Sequence, residues 1–180
     1  YGWLEQVMQS AVIVGAKNYT FHGIARLKRT FRENFPRFAA ETAKIYAFCA
    51  RYGVRLCFEN VEWALYNRPG IFTELKRDCP ALGGVLDIKQ ARISGYDWRE
   101  YLLEMGENLA TVHVSDVTAE GKMCLPGEGA FPFPELFSRL RDMGFNGAML
   151  IENYAGDFRE VAQLRAAYEY LAALAEKFCA

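Results

Sequence analysis

Net charge is what this chain lacks first. Its 21 Lys and Arg stand against 22 Asp and Glu, leaving −1 at pH 7 over 180 residues. Without a basic excess there is no broad field to hold a phosphate backbone, so a nucleic-acid partner is not expected. No apolar run approaches the roughly 20 residues that a membrane helix needs, so no membrane partner is expected. The start, Tyr1-Gly2-Trp3-Leu4-Glu5, has no basic segment leading into an apolar one, as a secretory signal would. It also lacks an initiating Met, which leaves open that the chain begins inside a longer protein. Five cysteines, Cys49, Cys57, Cys79, Cys124 and Cys179, include no pair at zinc-ribbon or redox-motif spacing. Reduced thiols and a cytoplasmic setting follow. Linkers, low-complexity tracts and internal repeats beyond a βα alternation are absent too.

What is present is an ordinary globular composition, 52% hydrophobic and 24% charged, in a length that suits one domain with a sizeable core. Helical spacing of apolar residues predicts helices over residues 3–16 and 30–51, and a last one over 158–178. Asp97 reads as the N-cap of a helix carrying Trp98, Tyr101, Leu102 and Met105. Pro69 and Pro134 sit where first helical turns begin. Between these lie short apolar runs: residues 18–23, 54–58, 84–88, 109–114 and 148–151. The run at 84–88 is apolar apart from Asp87, as in strands buried on both faces. Alternating strands and helices imply a parallel sheet with helices outside. Parallel crossovers bring all C-terminal strand ends to one side.

Four of these runs end in a metal-capable side chain. They are Leu56-Cys57-Phe58-Glu59-Asn60, Val85-Leu86-Asp87-Ile88-Lys89, Val112-His113-Val114-Ser115-Asp116 and Leu150-Ile151-Glu152-Asn153-Tyr154. A βα repeat would place Glu59, Asp87, His113 and Glu152 on one rim. Three carboxylates and one imidazole make an oxygen-rich site for a divalent cation. Any one of the four alone would read as an ordinary polar strand end. His22 closes another strand-like run, either lining the same rim or bonded to a neighbouring loop. Trp63 and Tyr66 form an apolar wall beside Glu59 or simply pack. Asp116 either orients a ligand or caps its loop.

The strings Phe58-Glu59-Asn60, Leu86-Asp87-Ile88-Lys89-Gln90-Ala91, His113-Val114-Ser115-Asp116, Leu125-Pro126-Gly127-Glu128-Gly129 and Ile151-Glu152 together resemble the xylose isomerase-like TIM barrel superfamily. The match is to its sugar phosphate isomerase/epimerase branch. The resemblance implies a (β/α)8 barrel with one divalent metal, Mn, Mg, Co or Zn, at the C-terminal rim. It carries the ligand role onto Glu59, Asp87, His113 and Glu152, and acid–base roles onto Glu59 and Glu152. It makes Gln90 a substrate-contacting position, where related epimerases often have a histidine. Related endonucleases hold three zinc ions with extra histidines. This chain has two histidines in all, which argues against that arrangement.

A full barrel takes about 250 residues. The strands here correspond to the third through sixth and the eighth, with a short or irregular seventh near 123–133. Residues 1–180 are therefore expected to form a single, partial barrel domain, the first two βα units missing. Its two edge strands would then be covered by self-association or by other parts of a longer chain. The implied function is a metal-dependent isomerase or epimerase of a small sugar, ketose or sugar phosphate, moving a proton through an enediolate. The substrate-contacting set is His22, Trp63, Gln90 and Asp116. The alternatives are a metal-dependent lyase or dehydratase of a polyol, and a non-catalytic fragment of such a barrel.

Overall fold

The computed structural model of the chain describes residues 2–24 and 31–179, with the side chains of 31–34 and 179 outside the description. The expected start of the second helix at Thr30 lies outside the described residues. The chain divides into two compact units, Tyr1–Ala110 and Thr111–Ala180.

The first unit opens with α1 (Gly2–Ile13), then β1 (Asn18–Phe21), α2 (Phe31–Ala50) and β2 (Arg55–Glu59). A loop leads to α3 (Ile71–Leu75), β3 (Gly83–Asp87), α4 (Ile88–Ile93) and α5 (Trp98–Met105). The start of β4 (Leu109–Val114) closes the unit. β1 pairs in parallel with β2, Phe21 opposite Phe58, and β2 pairs in parallel with β3, Glu59 opposite Val85. All residues of β3 are buried, as the apolar stretch Gly84-Val85-Leu86 predicts for the strand before Asp87. Only glycine fits at Gly84, because a Cβ there would meet Cγ of Met105 at 2.5 Å and Sδ at 2.7 Å. α5 can therefore lie close on the strand. β1, by contrast, alternates between exposed and half-buried residues and pairs only with β2 among the described residues.

The second unit holds the rest of β4, then β5 (Asp116–Val117), β6 (Met123–Cys124), α6 (Phe133–Asp142), β7 (Ala148–Ile151) and α7 (Val161–Cys179). β4 and β7 pair in parallel, His113 opposite Leu150 and Val114 opposite Ile151. Among the described residues the βα alternation is thus present, with β1, β2 and β3 parallel in the first unit and β4 and β7 parallel in the second. The expected irregular seventh strand near 123–133 turns out differently. Met123 and Cys124 pair antiparallel with Val117 and Asp116, forming a two-residue ladder beyond the end of β4. The α4 turn was also unforeseen, because its residues directly continue an apolar strand. Asp87 ends that strand by capping α4, its side chain accepting from the Gln90 N–H.

The described cysteines Cys49, Cys57, Cys79 and Cys124 are all free and buried. Burial pushes the thiols of Cys49, Cys57 and Cys79 up to about 11, so they remain protonated packing groups near neutrality.

Candidate metal centre

In the first unit, strand register decides which side chains meet. Glu59 ends β2 opposite Val85, and Asp87 lies two residues beyond Val85 on β3. A two-residue step keeps the same face of a sheet, so both carboxylates leave it together. One ligand atom of Glu59 and one of Asp87 lie within 4.8 Å of each other. Both residues are buried, at 2% and 1% exposure. His22 follows Phe21, the partner of Phe58, and so comes level with Glu59. Its Nε2 lies 2.9 Å from Glu59 Oε2. The Trp63 ring meets the His22 ring edge-on, centroids 5.5 Å apart. Lys89 is buried, and its Nζ stands 3.8 Å from Asp87 Oδ2.

The second unit repeats the arrangement. His113 lies opposite Leu150, and Glu152 is two residues beyond Leu150. The Glu152 N–H donates to the Val114 carbonyl at 2.9 Å, which carries the pairing to that point. His113 Nδ1 and Glu152 Oε2 are 2.5 Å apart. Two lone-pair atoms that close need a positive species shared between them, either a proton or a metal ion. An imidazole nitrogen and a carboxylate oxygen are both donor types that suit a divalent cation. The same stagger thus brings two metal-capable pairs to strand ends, Glu59 with Asp87 and His113 with Glu152.

The other candidates are placed as follows. His22 and Trp63 are partly exposed beside Glu59. Gln90 is buried, and its Oε1 accepts the Glu62 N–H at 3.1 Å. Asp116 is buried, and its carboxylate accepts four backbone N–H groups, from Val117, Gly127, Gly129 and Phe131 at 2.8–3.0 Å. It binds the Pro126–Phe131 loop to the strand end, the loop-capping alternative of the two readings. Asn153, next to Glu152, donates to the Cys124 carbonyl at 2.9 Å and to Asp157 Oδ2 at 3.1 Å. Sequence reasoning missed Asn60 and Glu104. Asn60 is fully buried and bonded to the Asp87 backbone. Its one visible signal was an amide set directly after a ligand-type glutamate.

The profile of the family described as xylose isomerase-like TIM barrel matches residues 2–174. The chain belongs to that family. Among solved structures of the fold, the chain is similar to an IolI protein with a binding zinc atom, at TM-score 0.80 and 17% identity, covering 98% of this chain and 69% of that one. It is also similar to D-psicose 3-epimerase with D-tagatose from Clostridium cellulolyticum H10, at TM-score 0.77 and 14% identity, with 96% and 69% covered. A third is the probable 3-DHS dehydratase AsbF, involved in petrobactin synthesis, from Bacillus anthracis, at TM-score 0.78 and 16% identity, with 95% and 69% covered. At such identities these likenesses show the fold alone. No significant match is found among curated proteins. No helix among the described residues is long and apolar enough to cross a membrane.

Proposed function

We propose that Glu59, Asp87, His113 and Glu152 together hold one divalent metal ion, and that the chain acts as an isomerase or epimerase of a small sugar, ketose or sugar phosphate. On this reading residues 1–180 work as one domain. The observation that carries it is the repeated stagger: in each unit a metal-capable pair leaves neighbouring parallel strands on one face at their C-terminal ends. That is the end at which barrels of this type build their sites. The donor set of three carboxylates and one imidazole suits Mn²⁺, Mg²⁺, Co²⁺ or Zn²⁺. The zinc of the IolI structure supports a metal at this kind of rim.

When bound, a divalent cation would draw charge from a carbonyl oxygen and an adjacent hydroxyl, and so acidify the C–H between them. Glu152 then takes that proton as general base, and Glu59 returns one as general acid. The roles exchange with direction. Exposure suits Glu152 to this task, since its side chain is 39% exposed while that of Glu59 is 3% exposed. Asp87 and His113 serve as ligands alone. His22 and Trp63 offer a polar and an apolar edge to a sugar ring beside Glu59. Gln90 adds its amide nitrogen, and Asp116 acts by holding the rim loop in place. Among the described residues β1 pairs only with β2 and β7 only with β4, which supports self-association of the chain.

A dehydratase reading uses the same ligands and the same base but expels water. The likeness to the probable 3-DHS dehydratase, as close in fold as that to the epimerase, favours keeping it as the second reading. Incubation with Mn²⁺ and a panel of ketoses, ketose phosphates and cyclic polyols decides between them. Epimerised or isomerised product of unchanged mass is expected. A product lighter by one water supports the second reading, and no conversion with any metal contradicts both.

A further inference from the structure

Regular pairing of β2 with β3 runs out at Glu59, opposite Val85. One step further, the Asn60 N–H still reaches the Val85 carbonyl at 3.4 Å, and the Asn60 side chain adds to the ladder. The Asn60 Nδ2 donates to the Asp87 carbonyl at 2.8 Å, and the Asp87 N–H donates to Asn60 Oδ1 at 2.8 Å. A carboxamide presents donor and acceptor in one plane, as a peptide group does. It can therefore extend the ladder by one unit. Asp87 is thereby tied through its own backbone to the residue that follows Glu59. Aspartate at position 60 would face the Asp87 carbonyl with an oxygen, and serine would not span both groups.

A second tie crosses the same gap. The Gln90 N–H donates to Asp87 Oδ1 at 2.9 Å, and Gln90 Oε1 accepts the Glu62 N–H at 3.1 Å. The first contact orients the Asp87 carboxylate. The second links the first turn of α4 to the loop that leaves Glu59. Asn60 has 0% and Gln90 9% exposure, so water does not compete freely for either tie.

The geometry points to Asn60 and Gln90 as positioning residues that fix the separation and orientation of Glu59 and Asp87 for a divalent cation. This rests on the metal reading above. A carboxylate pair held in advance does not pay ordering entropy when the ion binds, whereas a loosened pair does. Groups that orient metal ligands typically change affinity by about 10–100-fold when removed. Gln90 is assigned here to the carboxylate pair, in addition to any contact its amide nitrogen makes with substrate.

The test is Mn²⁺ affinity by competition with a chelating dye, for the native chain and for Asn60→Ala and Gln90→Leu, with melting of the metal-free proteins read in parallel. N60A is expected to bind about tenfold or more weakly, because both backbone bonds to Asp87 are lost. Q90L is expected to lose about threefold or more; it retains the backbone N–H that holds Asp87 and is the milder change, so it decides the matter if N60A does not fold. Folded variants that bind within about twofold of the native chain overturn the inference, even if their melting temperatures drop, since that is the mark of a purely structural role. A native chain that binds no Mn²⁺ overturns the metal reading itself, and this inference with it. Native binding with unchanged variants leaves that reading standing and removes only this one.

Discussion

The Glu104 carboxylate of α5 accepts the Tyr66 hydroxyl at 2.7 Å and the Gly70 N–H at 2.8 Å, fastening the loop after Glu59 to the helix. Burial raises the Glu104 carboxyl above its ordinary value of 4.5, although hydrogen bonds from Tyr66, Gly70 and Thr73 pull it down. The folded state thus binds this proton more tightly than the unfolded one. The contribution to stability is full below the ordinary carboxylate value and declines as pH rises through the raised one. Glu104→Gln should flatten that decline just above the ordinary value of 4.5, as read from urea unfolding at a series of pH values. An unchanged slope would show that another group sets it.

Asp116 offers a test of the rim loop. Its two oxygens accept four N–H groups. In Asp116→Asn one oxygen becomes an NH₂ group, which cannot accept them. On Oδ1 the donors are Val117 and Phe131, and on Oδ2 they are Gly127 and Gly129, so either orientation leaves two donors unsatisfied. Each costs about 1–3 kcal/mol. For two donors, denaturant unfolding should show a loss of roughly 2–6 kcal/mol. A loss below ~0.5 kcal/mol, the size of an ordinary surface change, would mean that the loop is held by other means.

Glu152→Gln separates binding from proton transfer. The amide keeps one oxygen for a ligand but cannot take a proton near neutrality. Turnover should fall at least about a hundredfold, while circular dichroism and melting stay close to native. An unchanged rate would remove Glu152 as the base.

The parts of the fold that were legible in sequence are those with period. The apolar run that leads to Asp87 in β3, the Asp97 cap and the stripe of Trp98, Tyr101, Leu102 and Met105 all appear where spacing put them. The ladder of β5 with β6 was not legible, since two-residue strands carry no period and Asp116 holds the loop through backbone groups that no side chain announces. Each half of the candidate site was visible as a polar residue closing an apolar run. What was hidden was its support. Asn60 and Glu104 act through hydrogen bonds to residues 27 and 38 positions away, which spacing along the chain does not encode.

Edge pairing makes a prediction about assembly. Among the described residues β1 pairs only with β2 and β7 only with β4. Open parallel edges invite another strand. Light scattering across a dilution series should find a species larger than the 20.5 kDa chain. A monomer at all concentrations, with ordinary thermal stability, would show that both edges are tolerated in water.

The most direct measurement of the central claim is a crystal structure of the chain grown with Mn²⁺, read through the anomalous signal of the metal. The account predicts one strong peak, with oxygen of Glu59, Asp87 and Glu152 and nitrogen of His113 at ~2.0–2.6 Å. No peak, or a peak bound elsewhere while any two of these side chains point to opposite ends of the strands, would contradict it.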